Sequence, residues 1–171
     1  MKKLLLLLTV GLIFLAGCSK NIMSEYPQLK TKDHHYVTKN YSEILTDMEN
    51  KVPGVYYFGF PKCPWCQVLV PEMENVLSEY DLTAWTVDTK SKEFENNAVL
   101  IKRFEDFMKT FPAGVANESG SVPFTIAISK DGVVDAHLGT TPDHDNPRIP
   151  LDNNQKEFLT ARLEYLFENV K

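Results

Sequence analysis

The spacing of apolar residues along the chain predicts strands that alternate with helices. Residues 55–60 form an unbroken aromatic and β-branched run, which is typical of a central strand buried on both faces. Shorter strands are predicted at Tyr36–Thr38 and at residues 82–87. Three sets of apolar residues recur at helical spacing, and each predicts a helix that packs one face on a sheet. The sets are Leu69, Met73, Val76, Leu77 and Tyr80; Leu100, Phe104, Phe107, Met108 and Phe111; and Leu159, Leu163, Leu166, Phe167 and Val170.

Polar residues indicate where two of the helices begin. A short helix is predicted after the first strand, with Asn40 or Ser42 as its N-cap. The last helix is expected to begin at Asp152, because Gln155, three residues later, can return a hydrogen bond to the cap. Each cap would satisfy backbone N–H groups that the first helical turn leaves without a partner.

Two further strands are predicted at residues 123–128 and 133–138, joined by a tight turn at Asp131 and Gly132. This turn requires antiparallel pairing, whereas the helical connections between the earlier strands favour parallel pairing. The order β-α-β-α-β-α-β-β-α therefore predicts an α/β fold, with a central mixed β-sheet flanked by helices on both faces.

The N-terminus has the pattern of a secretory signal. Lys2 and Lys3 precede about thirteen mostly apolar residues, fewer than the roughly 20 that a membrane-spanning helix needs, and small residues lead to Cys18. The next segment is polar and has no sustained periodicity, so it predicts a tether. The predicted division is a signal peptide at 1–17, a polar tether at 18–34 and a folded domain at 35–171.

The composition is that of a globular protein and excludes several other classes. Of the 171 residues, 43% are hydrophobic and 24% are charged, which rules out a collagen-like or wholly disordered chain. The formal charge is −5 without a long run of one sign, so the chain is not expected to bind nucleic acid. Three cysteines are too few for a disulfide-stapled miniprotein, and their odd number leaves at least one outside any internal pair.

The sequence Cys63-Pro64-Trp65-Cys66 falls where the predicted central strand ends and a helix begins. Free N–H groups and the positive end of the helix dipole stabilise a thiolate at such a position. Pro64 suits the first helical turn, where its missing N–H needs no partner. Cys63, nearer the exposed tip, is therefore the expected nucleophile, and Cys66, one turn deeper, is expected to resolve the mixed disulfide.

A lone C-x-x-C pair also occurs in zinc sites, which need two more ligands. The four histidines form no second paired motif, so no metal site is predicted. His34 and His35 are expected to be solvent-exposed at the end of the tether. His137 is expected to be solvated or partly packed on a strand face, and His144 lies in a Pro-rich loop.

Four features follow one another along the chain: a strand ending in Phe60-Pro61-Lys62, the Cys63–Cys66 dithiol, Pro71 within the following helix, and Ser121-Val122-Pro123 before a later strand. In this order they resemble the thioredoxin-like superfamily over about residues 35–170. The resemblance implies a thioredoxin-like fold and no cofactor beyond a redox-active Cys63–Cys66 disulfide. It also implies a cis bond between Val122 and Pro123, next to the dithiol, where the backbone would bind a client peptide. One departure is Tyr57, which stands where typical members have a buried aspartate.

The sequence Leu15-Ala16-Gly17-Cys18 resembles the bacterial lipoprotein signal. This resemblance implies an extracytoplasmic protein that is attached to the cell membrane by lipid on Cys18. The alternative is an ordinary signal peptide with Cys18 as a free thiol. A lipoprotein signal followed by F-G-x-P-x-C-P-x-C is also similar to the small Gram-positive group of bacteriocin transport accessory proteins.

Together these features predict an extracytoplasmic thiol–disulfide oxidoreductase. Its partners would be secreted protein or peptide clients and a membrane redox partner, with Trp65 shaping the rim of the site. One alternative is an accessory or binding subunit of a peptide-export system, in which Cys63 and Cys66 form a structural disulfide. Another is a metallochaperone that binds copper(I) through the two thiols. The direction of electron flow does not follow from the sequence.

Overall fold

The computed structural model describes residues 22–29, 33–112, 115 and 120–170, and the strands and helices below are those of the described residues. The predicted signal peptide and Cys18 lie outside them. The five strands are β1 (Tyr36–Thr38), β2 (Gly54–Gly59), β3 (Ala84–Asp88), β4 (Phe124–Ile128) and β5 (Val134–Leu138). The five α-helices are α1 (Tyr41–Glu49), α2 (Pro64–Tyr80), α3 (Lys92–Asn96), α4 (Ala98–Met108) and α5 (Asn153–Phe167).

The strands form one mixed sheet in the order β1-β3-β2-β4-β5. Strands β1 and β2 both pair with β3 in parallel. Strand β4 runs antiparallel to β2, and β5 runs antiparallel to β4. The predicted tight turn is confirmed at Gly132, which has a φ of 75° and donates its N–H to Ser129 O at 2.9 Å. The α/β architecture and the mixed sheet are therefore confirmed.

Two hydrophobic clusters lie on opposite faces of the sheet, because successive side chains of a strand point to opposite sides. On β2, Val55 and Tyr57 belong to the cluster that α2 and α5 cover. Tyr56 and Phe58 belong to the other cluster, with buried residues of α1 and α4. Helices on both faces were predicted, and this arrangement confirms them.

The N-terminal segment corrects the predicted extent of the tether. Residues 22–29 pack on the domain, beginning with a 3₁₀ turn at Ile22–Glu25. Ile22, Met23 and Tyr26 are buried in the cluster beneath α2 and α5. The three apolar residues span only five positions, which is too short a pattern to distinguish a packed segment from a polar linker. The prediction of a tether through residue 34 is therefore wrong for residues 22–29.

The segment after β3 contains two helices, each with its own cap. Ser91 accepts a hydrogen bond from Phe94 N and begins α3, and Asn97 accepts one from Leu100 N and begins α4. The helix predicted from the spacing of residues 100–111 corresponds to α4, and α3 is a further short helix before it. The predicted cap of α1 is Asn40, and the capping box of α5 at Asp152 is confirmed. None of the helices in the described part of the chain is long and apolar enough to cross a membrane.

Candidate functional site

The dithiol lies where β2 leads into α2. Cys63 is the N-cap of α2, and its sulfur accepts a hydrogen bond from the backbone N–H of Cys66 at 3.3 Å. Pro64 takes the first helical position, as expected for a residue that lacks an N–H. The N-terminal end of a helix carries partial positive charge. The sulfur of Cys63 therefore lies where a thiolate is stabilised.

The two thiols have opposite acid–base properties. Both cysteines are free and buried, with exposures of 4% for Cys63 and 0% for Cys66. The hydrogen bond from the Cys66 thiol, together with backbone N–H groups, lowers the pKa of Cys63 from 9.0 to about 7, although burial opposes the shift. Burial and the hydrogen bond with Cys63 raise the pKa of Cys66 well above its usual range. Cys63 is thus the thiol that ionises first near neutral pH.

The segment that precedes β4 lies against the nucleophile. The Val122–Pro123 peptide bond is cis, as the resemblance implies. The thiol of Cys63 is 3.7 Å from the carbonyl oxygen of Val122, which is within hydrogen-bonding distance for sulfur. Residues from two distant parts of the chain therefore meet at one point, and Cys63, Cys66, Val122 and Pro123 form one site.

Trp65 is half-buried beside the dithiol and packs on a histidine that the sequence does not single out. Its ring meets the edge of His144, with centroids 5.2 Å apart and planes at 86°. His144 is held in turn by the Ile149 carbonyl, 2.8 Å from Nε2, and by the Thr140 hydroxyl, 3.0 Å from Nδ1. The loop after β5 thus fixes the indole of Trp65 by an edge-to-face contact.

Two tyrosines lie behind the dithiol. The hydroxyl of Tyr57 is 3.3 Å from that of Tyr26, and both residues are buried. The Tyr57 hydroxyl also lies beside the sulfur of Cys66, and its interaction with that sulfur lowers the pKa of Cys66. Gly59 leaves room for this contact, because a Cβ there would overlap the Tyr57 hydroxyl and lie 3.0 Å from the Cys66 sulfur. Tyr26 belongs to the segment predicted to be a tether, so this pair could not be found from the sequence.

Val122 lines two cavities next to the dithiol. One has a volume of about 590 Å³ and an aromatic wall that includes Phe58 and Phe104. The other has a volume of about 520 Å³ and is lined by Trp65 and Phe158, among others. Space for side chains of a polypeptide therefore exists beside Val122, whose carbonyl contacts Cys63.

Two predictions about histidines need correction. His35 is not free in solvent: its Nδ1 is 2.8 Å from a carboxylate oxygen of Glu74, and its backbone N–H also donates to that carboxylate. His137 is buried on β5, and its Nε2 has no hydrogen-bond partner among the described residues. Burial, followed by the charge of Arg162, lowers the pKa of His137 from 6.5 to about 4.

Across residues 22–29, 33–112, 115 and 120–170, no group of three or more His, Cys, Asp or Glu side chains could hold a metal ion. Comparison of the sequence with protein-family models gives no match. Comparison with curated proteins gives no match either. The chemistry of the site is therefore inferred from its geometry and its motifs.

Proposed function

We propose that the protein is a thiol–disulfide oxidoreductase that acts through Cys63 and Cys66 on protein or peptide clients. The observation that carries this proposal is the contrast between the two sulfurs: Cys63 caps α2 with a pKa of about 7, and Cys66 is fully buried with a raised pKa. A thiol with a pKa near ambient pH is the best attacking nucleophile for disulfide exchange. The deeper thiol is then placed to complete the reaction.

The exchange balances as two displacement steps. The Cys63 thiolate attacks a client disulfide, a Cys63–client disulfide forms, and one client sulfur leaves and takes up a proton. Cys66 then loses its proton and attacks the sulfur of Cys63. The Cys63–Cys66 disulfide forms and the second client thiol leaves, so the client gains two electrons and two protons. The reverse sequence oxidises a client dithiol.

The surroundings of Cys63 support a polypeptide client. The carbonyl of Val122 lies beside the reacting sulfur, and the cis Val122–Pro123 bond is the feature that the thioredoxin-like resemblance leads one to expect there. The strand order β1-β3-β2-β4-β5, with the dithiol at the end of β2, is consistent with a thioredoxin-like fold. The two cavities lined by Val122 offer room for client side chains.

The lipoprotein-like signal supports an extracytoplasmic location with a lipid anchor at Cys18. In that location the clients would be secreted proteins or peptides, and a membrane redox partner would regenerate the dithiol or the disulfide. The similarity of the motifs to bacteriocin transport accessory proteins would make an exported peptide one such client.

Trapping of mixed disulfides tests the proposed function. Full-length protein with Cys66→Ala should accumulate disulfide-linked complexes with clients in cells, because the resolving thiol is missing. The matched variant Cys63→Ala should accumulate none. The complexes are detected after acid quenching and alkylation, as bands that a reductant abolishes. Complexes that persist in the Cys63→Ala variant would overturn the assignment of the nucleophile.

The burial of both sulfurs favours a second candidate, an accessory or binding subunit with a static disulfide. Cys63 is only 4% exposed, and a structural disulfide needs no access. This candidate predicts that neither single variant traps clients and that Cys63→Ala combined with Cys66→Ala leaves the export phenotype intact. The same trapping experiment therefore separates the two functions.

A further inference from the structure

Cys66 has to ionise in a fully buried position, which makes its surroundings the decisive feature of the second exchange step. The thiolate, rather than the thiol, is the attacking species in disulfide exchange. When the reaction runs in the opposite direction, Cys66 leaves as a thiolate instead. Both directions therefore pass through a buried negative charge on the Cys66 sulfur, and a hydrogen-bond donor at that sulfur would assist both.

Tyr57 provides such a donor from the strand behind the dithiol. Its hydroxyl and the Cys66 sulfur lie beside each other, since both adjoin the point that a Cβ of Gly59 would occupy. The interaction of the hydroxyl with the sulfur lowers the pKa of Cys66, opposing the larger effects of burial and of Cys63. The fully buried Tyr57 side chain is packed edge-on by the ring of Tyr36 at 5.9 Å, so its position is fixed. The lack of a side chain at Gly59 is what allows the hydroxyl to reach the sulfur.

Tyr26 holds the other side of the Tyr57 hydroxyl. The two phenolic oxygens are 3.3 Å apart, and either oxygen can donate. When Cys63 is held in the mixed disulfide, the neutral thiol of Cys66 no longer donates to a Cys63 thiolate, so it can donate to Tyr57 and Tyr57 can donate to Tyr26. With a Cys66 thiolate, Tyr57 has to donate to sulfur, and Tyr26 can then donate to Tyr57. The two hydrogen bonds thus reverse their donor and acceptor when the hydroxyl hydrogens rotate, and neither tyrosine becomes charged.

We infer that Tyr57 and Tyr26 form a hydrogen-bond chain that stabilises the Cys66 thiolate during disulfide exchange, with Tyr57 contacting the reacting sulfur and Tyr26 acting as a positioning residue. The inference deepens the proposed function and rests on it. It also assigns a role to the buried N-terminal segment, because Tyr26 belongs to residues 22–29.

Four other titratable groups lie near the hydrogen-bonded pair of Tyr57 and Tyr26. Of these four, Cys63 also acts on the Cys66 sulfur. The buried residues that α5 adds to the same cluster are apolar. Asp88 acts on Tyr26, and Glu74 acts on Tyr36. The groups are Cys63 at the N-cap of α2, Glu74 on α2, Tyr36 on β1 and Asp88 at the end of β3.

Stopped-flow reaction of the reduced full-length protein with 5,5′-dithiobis(2-nitrobenzoate) separates the two exchange steps. The first release of thionitrobenzoate reports attack by Cys63, and the second reports attack by Cys66 on the mixed disulfide. Tyr57→Phe should move the pH–rate profile of the second release to higher pH by about one unit, the effect of one hydrogen bond to a charged group. The profile of the first release should be unchanged.

Tyr26→Phe tests the second link of the chain. It should shift the second profile in the same direction by about 0.3 unit, because it removes only the polarising partner of Tyr57. In the double variant, Tyr26→Phe should add no further shift to that of Tyr57→Phe, because Tyr26 acts through the Tyr57 hydroxyl. Tyr56→Phe is the matched control: its hydroxyl donates to Val52 O at 2.8 Å on the opposite face of β2, so the profile should not move.

The outcomes distinguish this inference from the proposed function. If neither release depends on Cys63, the proposed function fails. If both releases occur but the second profile of Tyr57→Phe coincides with that of the wild type, only the inference is overturned. A thermal unfolding curve for each variant shows that it is folded, and an additive effect of Tyr26→Phe in the double variant would also contradict the chain.

Discussion

The sulfur of Cys63 and the backbone nitrogen of Cys66 are 3.3 Å apart, so the first turn of α2 donates a hydrogen bond directly to the outer thiol. This contact depends on the end of β2 turning into the helix at Cys63, with Pro64 in the first helical position. It stabilises a negative charge on Cys63. The thiol of Cys66 adds a second hydrogen bond, and both act on the sulfur that is expected to attack clients.

The acidity of Cys63 should depend on the side chain at position 66. Cys66→Ala removes the hydrogen bond that lowers the pKa of Cys63 most, so that pKa should rise from about 7 by about one unit. Cys66→Ser retains a donor and should change it less. Thiolate absorbance of the reduced protein as a function of pH measures the value, with Cys63→Ala as the blank. Equal pKa values in the two Cys66 variants would contradict the assigned cause.

A methyl group at Gly59 should damage the site, whereas one at Gly54 on the same strand should be tolerated. The added Cβ of Gly59→Ala would overlap the Tyr57 hydroxyl, and such overpacking costs about 1–3 kcal/mol. In Gly54→Ala the nearest atom is 3.4 Å away, so a loss below about 1 kcal/mol is expected. Urea denaturation of both variants measures the difference. Similar losses at the two positions would show that the crowding beside Cys66 has no energetic consequence.

Trp65 should affect the binding of clients more than the chemistry of the thiols. Its edge-to-face contact with His144 and its place in a cavity wall put the indole at the rim of the site. Trp65→Ala should raise the KM for a peptide disulfide by about three- to tenfold, the range for loss of one aromatic contact. The rate with a small disulfide reagent should stay within about twofold of the wild type. A parallel loss with both substrates would contradict a role in client binding.

His137 should make the protein sensitive to mild acid. Its pKa is about 4 in the folded protein and 6.5 for an unperturbed histidine, so the unfolded chain binds more protons between these values. Stability is therefore full above about pH 6.5 and falls as the pH drops toward 4, by about 3 kcal/mol for this group. Chemical denaturation at several pH values should show that the free energy of unfolding depends less on pH in His137→Phe than in the wild type. Identical slopes for the variant and the wild type would exclude His137 as the cause.

The packing of the N-terminal segment should contribute to stability. Met23 has no exposed surface, and Met23→Ala should lower the free energy of unfolding by about 2–5 kcal/mol. Gln28 is exposed in the same segment, so Gln28→Ala should change it by less than about 0.5 kcal/mol. Thermal unfolding of the two variants tests the difference. If Met23→Ala left the free energy of unfolding unchanged, the segment would again be interpreted as a tether.

The features that the sequence predicts correctly are those that depend on neighbouring residues. The buried run of β2 and the capping box at Asp152 depend on short-range spacing, and both are found in the structure. The short helix α3 was not predicted separately, because its five residues contain one apolar side chain, Phe94, and therefore show no helical periodicity.

The contacts that complete the site join residues that are far apart in the chain. The pair of Tyr26 with Tyr57 and the pair of Trp65 with His144 depend on how a terminal segment and a loop pack on the sheet. No periodic pattern encodes such a contact. The Cys63–Cys66 motif could be found from the sequence because it carries its own local signal, whereas the cis bond at Pro123 was expected from the family resemblance.

The redox state of Cys63 and Cys66 in intact cells tests the proposed function most directly. Cells are treated briefly with an oxidant or a reductant, quenched with acid at intervals, and the thiols are alkylated with a reagent that adds mass. If the proposed function is correct, Cys63 and Cys66 should change their redox state on treatment and return to the starting redox state after the reagent is removed. A pair that stays a disulfide under every condition, in protein whose other properties are unchanged, would contradict it.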